Sequence, residues 1–202
     1  MFLDLGDPEW HVIEITPSGW GIIPNPPVRF RRTPTMTALP IPQSGGSIQL
    51  LRPFVNLRPE NFILFVCALV DALIEGHPHP TLVLCGEEGA AKATLSKIAR
   101  ALIDPNKVRP KSLPTTVRDL FVDVENSYGL TYDNVSVLPR GLSDALCMIS
   151  TGSGFSTRKL YTNAEMTLLG GQTRPVWLTG LKNVITRSDL ADRSVQTPYT
   201  PT

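Results

Sequence analysis

The chain has 202 residues, with 19 basic against 18 acidic side chains and a formal net charge of +1, a length that suits one ordinary domain plus extensions. A hydrophobic fraction of 42% and a charged fraction of 18% exclude wholesale disorder, and near-neutrality leaves any nucleic-acid contact to a local cluster rather than a global field. Nineteen prolines and fifteen glycines exceed the roughly 12% of average usage, so part of the chain is extended or turning.

The first elements form a β-hairpin, with alternation over His11 to Ile15, a turn at Thr16-Pro17-Ser18-Gly19, and a second strand at Trp20 to Ile23. Six prolines between Pro24 and Pro42 rule out a helix or a central strand and predict an extended connector. That connector carries Arg29, Arg31 and Arg32, three cations that are more often solvated than bound to phosphate. The expected division is residues 1–44 for hairpin and connector, and 45–202 for the main domain.

Phe62, Phe65, Val66, Leu69, Val70 and Leu73 recur at helical spacing after Pro59, and Gly76 is placed to end that helix. The longest apolar run, Phe62 to Val70, falls short of the roughly 20 residues of a membrane span. The acidic N-terminus is unlike a signal peptide. Cys67, Cys85 and Cys147 are scattered among apolar neighbours without a CxxC pair, as buried thiols in a reducing compartment are. These features point to a cytoplasmic protein with no membrane partner. His77-Pro78-His79-Pro80 reads as a rigid turn, and two histidines without a third ligand nearby in sequence are weak grounds for a metal.

Thr81 to Cys85 is short and apolar enough for a strand buried on both faces. It leads into Gly86-Glu87-Glu88-Gly89-Ala90-Ala91-Lys92-Ala93-Thr94 and then a helical pattern to Ile103. A loop between buried strand and helix is the setting of a phosphate-binding loop, in which backbone N–H groups converge on an anion and a lysine reaches the β- and γ-phosphates. Against the pattern GxxxxGK[ST], Ala91 replaces a glycine and Ala93 a hydroxyl, and Thr94 comes one place late; a purely structural strand-turn-helix is the competing reading.

A short strand is expected near Val108 to Leu113 and a helix through Val117, Leu120, Phe121 and Val124. Leu130 to Tyr132 is a strand running into Asp133, placed where a carboxylate would hold Mg2+ beside a nucleotide, although Asp-Asn after a strand is also an ordinary turn. Asn134 offers no general base. A helix over Leu142 to Ile149 leads into a hairpin around Thr162-Asn163-Ala164, whose first strand carries Arg158, Lys159 and Tyr161, a contact that single-stranded nucleic acid could use. Pro175 to Gly180 is a further buried strand. Strands alternating with helices predict the α/β class with a parallel sheet covered on both faces.

The order of these parts resembles a family. The strand and phosphate loop at 82–94, the strand and aspartate at 130–134, LSDALCMISTGSGFSTRKLY at 142–161, PVWLTG at 175–180 and RSDLADRS at 187–194 together resemble the ATPase core of phage- and plasmid-type replicative helicases. These belong to the AAA+ superfamily-three group, which includes the helicase part of poxvirus-type primase-helicases. The lead-in PPVRFRR at 26–32 is similar to the region preceding the ATPase in bacterial members. The resemblance implies a P-loop NTPase αβα sandwich that binds ATP and Mg2+. In it Gly86 to Thr94 cradle the phosphates, Lys92 contacts them, Asp133 holds the metal and Thr179 occupies the sensor position. Arg193 or Arg187 would be the finger that completes a neighbour's site in a homo-oligomeric ring, and the hairpin with Arg158 and Lys159 would face single-stranded DNA in the channel. With Ala91, Ala93 and Asn134 departing from the pattern, hydrolysis is expected to be weak or lost. The tail Gln196 to Thr202 stands where the family continues through a fifth strand into a helical lid, so the copy reads as truncated with its lid missing. The alternative is a non-catalytic oligomerisation or interaction module that kept the fold.

Overall fold

The computed structural model describes residues 1–55, 57–87, 92–158, 166–170 and 173–199. A three-stranded antiparallel sheet comes first, β1 (Phe2–Asp4), β2 (Val12–Thr16) and β3 (Gly19–Ile23). The predicted hairpin is β2–β3, closed at Thr16 opposite Gly19; β1, hidden in the acidic N-terminus, pairs with β2 from Phe2↔Glu14 to Asp4↔Val12.

The proline-rich connector is extended but docked rather than free. Thr37 N donates to Pro105 O and Lys107 N to Thr35 O, each at 2.9 Å, while Leu39 N donates to Leu5 O at 2.8 Å. The same strip therefore bonds the N-terminal sheet and the main body. Arg32, expected to be solvated, is held in a fork by Asp4, with Nε to Oδ2 at 2.8 Å and Nη2 to Oδ1 at 2.6 Å. Its guanidinium also lies 3.7 Å from the centroid of the Trp10 ring. Two acids, Asp4 and Asp7, face it, and that hydrogen-bonded field raises the Arg32 pKa.

After a 3-10 helix (Ile48–Phe54) capped by Ser47, the main body runs α1 (Pro59–Ala72), β4 (Thr81–Gly86), α2 (Lys92–Ile103), α3 (Val117–Asn126), β5 (Leu130–Tyr132) and α4 (Arg140–Thr151). It continues with β6 (Gly154–Arg158), β7 (Met166–Gly170), β8 (Val176–Gly180), α5 (Ser188–Ala191) and β9 (Ser194–Tyr199). Pro59 opens α1 at a position where its missing N–H is no loss, and Thr116 caps α3 by accepting from Asp119 N at 3.1 Å. Gly76 does not end α1, which stops at Ala72; it sits at φ +85° in the following turn.

Strands β5, β8, β4 and β9 form one four-stranded sheet in that order, every pair parallel. Alternation along β4 divides the core: Leu82 and Leu84 face Phe65 of α1 and Leu95 of α2, while Val83 joins Leu120 and Phe121 of α3 and Leu146 of α4. On β8, Trp177 goes to the first side and Val176 and Leu178 to the second. Helices thus cover both faces, as the alternating pattern predicts. The expected strand near Val108 to Leu113 is reduced to a single parallel bridge, Lys111↔Tyr132, beyond β5. β6 and β7 pair antiparallel as a separate hairpin, Gly154↔Gly170 to Arg158↔Met166.

Two further expectations fail. Gln196 to Tyr199 is not a strandless tail but part of β9, which pairs with β4 from Thr81↔Ser194 to Gly86↔Tyr199 as an outer strand of the four-stranded sheet. Its polar, proline-bearing sequence masks it, and Pro198 is tolerated because β9 is an edge strand. Cys67 is exposed, whereas Cys85 and Cys147 are partly buried. Cys67 lies on an outward face of α1 with Ile63, Leu64, Val70 and, in the next turn, Ile74, all exposed, so that helix is apolar on more than its buried side. Among the described residues no single helix is long and apolar enough to cross a membrane.

Replacing Arg32 by methionine leaves Asp4 buried without its counter-charge, and a cost of about 3 kcal/mol is expected; amide exchange across β1 and β2 should speed up while α2 stays protected. At Gly180 an added Cβ would come within 2.6 Å of Val135 O, a clash with backbone rather than with a movable side chain. Gly180→Ala should therefore lower stability by about 1–3 kcal/mol in urea unfolding.

Candidate functional site

In a parallel sheet all carboxyl ends lie along one edge, and loops leaving that edge can converge on a ligand. Three loops leave here from neighbouring strands, after Gly86 of β4, Tyr132 of β5 and Gly180 of β8. Register fixes their levels: Cys85 lies opposite Gly180, Leu84 opposite Thr179, and Tyr132 opposite Leu178.

From β4 the chain passes to α2, whose described part begins at Lys92. Its Nζ donates to Gly86 O at 2.8 Å and to Glu87 O. The ammonium thus bonds the carbonyls at the start of its own loop. Glu88, Gly89, Ala90 and Ala91 lie outside the described residues. Ala93 is half-buried and Thr94 is exposed, so the threonine one place late does not take up the direction of residue 93, as a rotation of about 100° per residue requires. At Cys85, near the end of β4, burial pushes the thiol pKa up, against the lowering effect of Lys92, which disfavours the thiolate.

Asp133, just past β5, is tied to β8. Thr179 Oγ1 donates to Asp133 Oδ1, Asn134 N donates to Thr179 Oγ1 at 3.1 Å, and Val135 N donates to Thr179 O at 2.8 Å. Asn134 N also lies 3.1 Å from Asp133 Oδ1. Asn134 sits at φ +54°, the left-handed region that asparagine enters more readily than most residues with a Cβ. The Asp-Asn pair is therefore a turn, and one wired to Thr179. Gly180 follows because its missing Cβ lets Val135 O approach.

Arg193 stands at the opposite edge. It immediately precedes β9, where Thr81 N donates to Arg193 O at 2.8 Å, and its exposed side chain donates from Nη1 to Asp189 O at 2.6 Å. The alternative finger, Arg187, is engaged by Asp189 at 3.1 and 2.6 Å and by Asp144 at 2.9 Å. The Arg187 hydrogen bonds hold the Asp189 carboxyl down to about 2. So Lys92, Asp133 and Thr179 share one edge of the sheet, and neither arginine joins them within one chain.

Arg158 ends β6; Lys159 and Tyr161 lie outside the described residues. Two further features carry no signal in the sequence read locally. One is a cavity of about 220 Å³ bordered by Arg100, Lys111, Asp123 and Thr131, which is invisible because its walls come from α2, α3, β5 and the connector. The other is the grouping of Asp71 with His77 and His79, whose third member lies six residues before the first histidine on a helix.

No curated protein matches the chain. The family model described as actinomycete integrative conjugative element replication protein matches residues 48–199, from the 3-10 helix through α1 and the whole parallel sheet to the end of β9. That span is most of the chain, and the protein belongs to the actinomycete integrative conjugative element replication proteins.

Proposed function

We propose that this member of a mobile-element DNA replication family is a nucleotide-binding module related to the AAA+ superfamily-three ATPases, with hydrolysis weak or lost. The observation that carries the reading is the placement of Lys92, after a loop leaving the central strand β4, on the same sheet edge as the Asp133–Thr179 pair leaving β5 and β8. A strand flanked by β8 and β9, followed within a few residues by a helix with lysine at the head of its described part, suits an anion at the helix N-terminus. Phosphate oxygens would replace the Gly86 and Glu87 carbonyls as acceptors for Lys92 Nζ. ATP is the ligand proposed, with Mg2+ held weakly or not at all and Asp133 as the carboxylate on the metal side.

Two observations favour slow chemistry. Ala93 offers no hydroxyl to Mg2+, and Asn134 offers no base while its left-handed backbone disfavours a longer replacement. The same observations, with Lys92 and Asp133 already hydrogen-bonded inside the chain, support the second reading, a non-catalytic interaction module. A homo-oligomeric ring would bring Arg193 of one copy to the nucleotide of the next, a placement its exposure at the far edge of the sheet permits. The β6–β7 hairpin, with Arg158 and Lys159, would serve single-stranded DNA.

Calorimetric titration with ATP should give weak binding that depends little on Mg2+ and is lost in Lys92→Ala. Ala93→Ser should add a Mg2+-dependent gain of about 1–2 kcal/mol, the worth of one charge-assisted hydrogen bond or ligand. Equal affinity in wild type and Lys92→Ala would leave only the non-catalytic module, and brisk phosphate release by the unmodified chain would overturn slow hydrolysis.

For DNA, the double change Arg158→Ala with Lys159→Ala should weaken binding of a mixed-sequence single strand. It should also flatten the plot of log affinity against log salt by about 0.7 for each phosphate that the two side chains neutralise in the unmodified chain. An unchanged slope would return the hairpin to ordinary surface.

A further inference from the structure

At the amino-terminal edge of the sheet, at the other end of β4 from the lysine loop, Asp71 in the last turn of α1 meets the two histidines of the turn that feeds β4. His79 is fully buried, and its Nδ1 lies 2.9 Å from Asp71 Oδ2; His77 Nε2 lies 3.7 Å from Asp71 Oδ1. The two imidazole centroids are 4.7 Å apart. One ligand atom from each of the three residues falls within 4.8 Å of the others.

The sequence builds this cluster by simple means. The two histidines are separated by one residue in the turn before β4, with ring centroids 4.7 Å apart, and Pro78 and Pro80 stiffen that turn. His79 is also fixed through its backbone: its N–H donates to Ser150 O at 3.1 Å, and its carbonyl accepts from Ser150 Oγ at 2.6 Å. Asp71 is carried by a helix packed on the sheet. The three groups are thus positioned by α1, the turn and α4 before any ligand arrives.

Hydrogen bonding argues that something is to fit between them. The contact of His77 Nδ1 with Pro78 O at 2.9 Å requires Nδ1 to carry the proton, because a carbonyl only accepts. In the neutral ring Nε2 is then a lone pair. That atom is buried and has no hydrogen-bond partner among the described residues, and it faces a carboxylate oxygen at a distance too long for a hydrogen bond. With the ring neutral, Nε2 and the carboxylate oxygen are both acceptors, and a cation held between them would satisfy both. A histidine that donates one ring N–H to a backbone carbonyl while its other nitrogen points at a carboxylate has the arrangement of a metal ligand with its orienting partner already in place. His79 Nε2 is likewise buried and without a partner among the described residues, so its fully covered ring is hydrogen-bonded there through Nδ1 to Asp71 alone.

We infer that Asp71, His77 and His79 bind a divalent transition metal of the Zn2+ class, with water completing the coordination. Tetrahedral zinc with bonds of about 2.0 Å places its ligand atoms about 3.3 Å apart; one ligand atom from each residue already lies within 4.8 Å of the others, and closing to that spacing would replace the hydrogen bond of 2.9 Å between His79 Nδ1 and Asp71 Oδ2. Two imidazoles with one carboxylate select zinc over magnesium, which prefers oxygen. His77 is one-third exposed while its Nε2 is covered, which places the cluster just beneath the surface. The bound metal would clip the end of α1 to the entry of β4. This inference does not depend on the nucleotide reading.

The test is titration of the full chain with Zn2+ in competition with a chromophoric chelator, in millimolar Mg2+, with Co2+ absorption as a report on nitrogen ligation. One equivalent should bind, and Zn2+ should raise the melting temperature. His77→Ala and Asp71→Asn should each weaken binding at least about tenfold, while His11→Ala, in the grouping of Asp7, Glu9 and His11 on the N-terminal sheet, should leave it unchanged. Far-UV circular dichroism of the metal-free variants establishes that they are folded, and the milder His77→Gln serves in place of His77→Ala if that chain does not fold. Absence of a saturable site, binding that survives the loss of His77, or binding abolished by His11→Ala would each overturn the assignment.

Discussion

Strand β4 is hydrogen-bonded on both sides, to β8 and to β9, and covered on both faces by helices. A strand so placed keeps no water on any backbone group of its middle, so its residues must be apolar throughout and its polarity must escape at the two ends. Thr81 and Gly86 mark those ends. What lies beyond them is correspondingly polar: the histidine turn on the amino side, and the lysine-bearing loop on the carboxyl side. Insertion of β4 between strands that come much later in sequence also obliges α2, α3, α4 and the β6–β7 hairpin to be laid down as crossovers before β8 and β9 can close around it.

The carboxyl edge is held by a second constraint, the close pass of the Asn134 turn over β8. Val135 N donates to Thr179 O, and Val135 O approaches so near to Gly180 that a side chain there is excluded. This packing fixes Asp133 against Thr179 and forces Asn134 into the left-handed region. Asparagine in that position therefore answers to backbone geometry as well as to any chemistry it has lost. A glutamate there would carry strain on the order of 1–2 kcal/mol, so the turn disfavours a carboxylate at this position.

Much of the main body is legible because its signals are local. The stripe through Phe62, Phe65 and Leu69, the apolar run at β4, and Leu130 to Tyr132 ending in a turn each declare their element by period or composition. The elements that escape depend on partners distant in sequence. β9 reads as a tail because an edge strand can be polar and contain Pro198, and only its register with β4 makes it a strand. β1 is acidic because Asp4 has Arg32 to meet, 28 residues on. The connector arginines read as solvated for the same reason: no local pattern shows that Arg32 enters a fork of carboxylate oxygens beneath Trp10. Cys67 reads as buried because α1 is apolar on its outer face too, so that periodicity marks a helix there without telling which side is covered.

The histidine cluster shows where such legibility ends. Its two imidazoles stand one proline apart in sequence, yet their meaning turns on Asp71, which reaches them only because α1 ends where it does and the chain doubles back into β4. A pair of histidines between prolines has no preferred chemistry of its own. What gives it one is the tautomer imposed by Pro78 O together with the carboxylate placed opposite. Both follow from the fold: the carbonyl from a turn stiffened by proline, the carboxylate from a helix packed against Leu82 and Leu84. The two edges of the sheet thus differ in kind. At the carboxyl edge the lysine and aspartate already have partners within the chain, so a ligand must compete with existing hydrogen bonds. At the amino edge His77 Nε2 has no hydrogen bond to give up among the described residues, and the bond a cation would compete with is the one between His79 Nδ1 and Asp71 Oδ2.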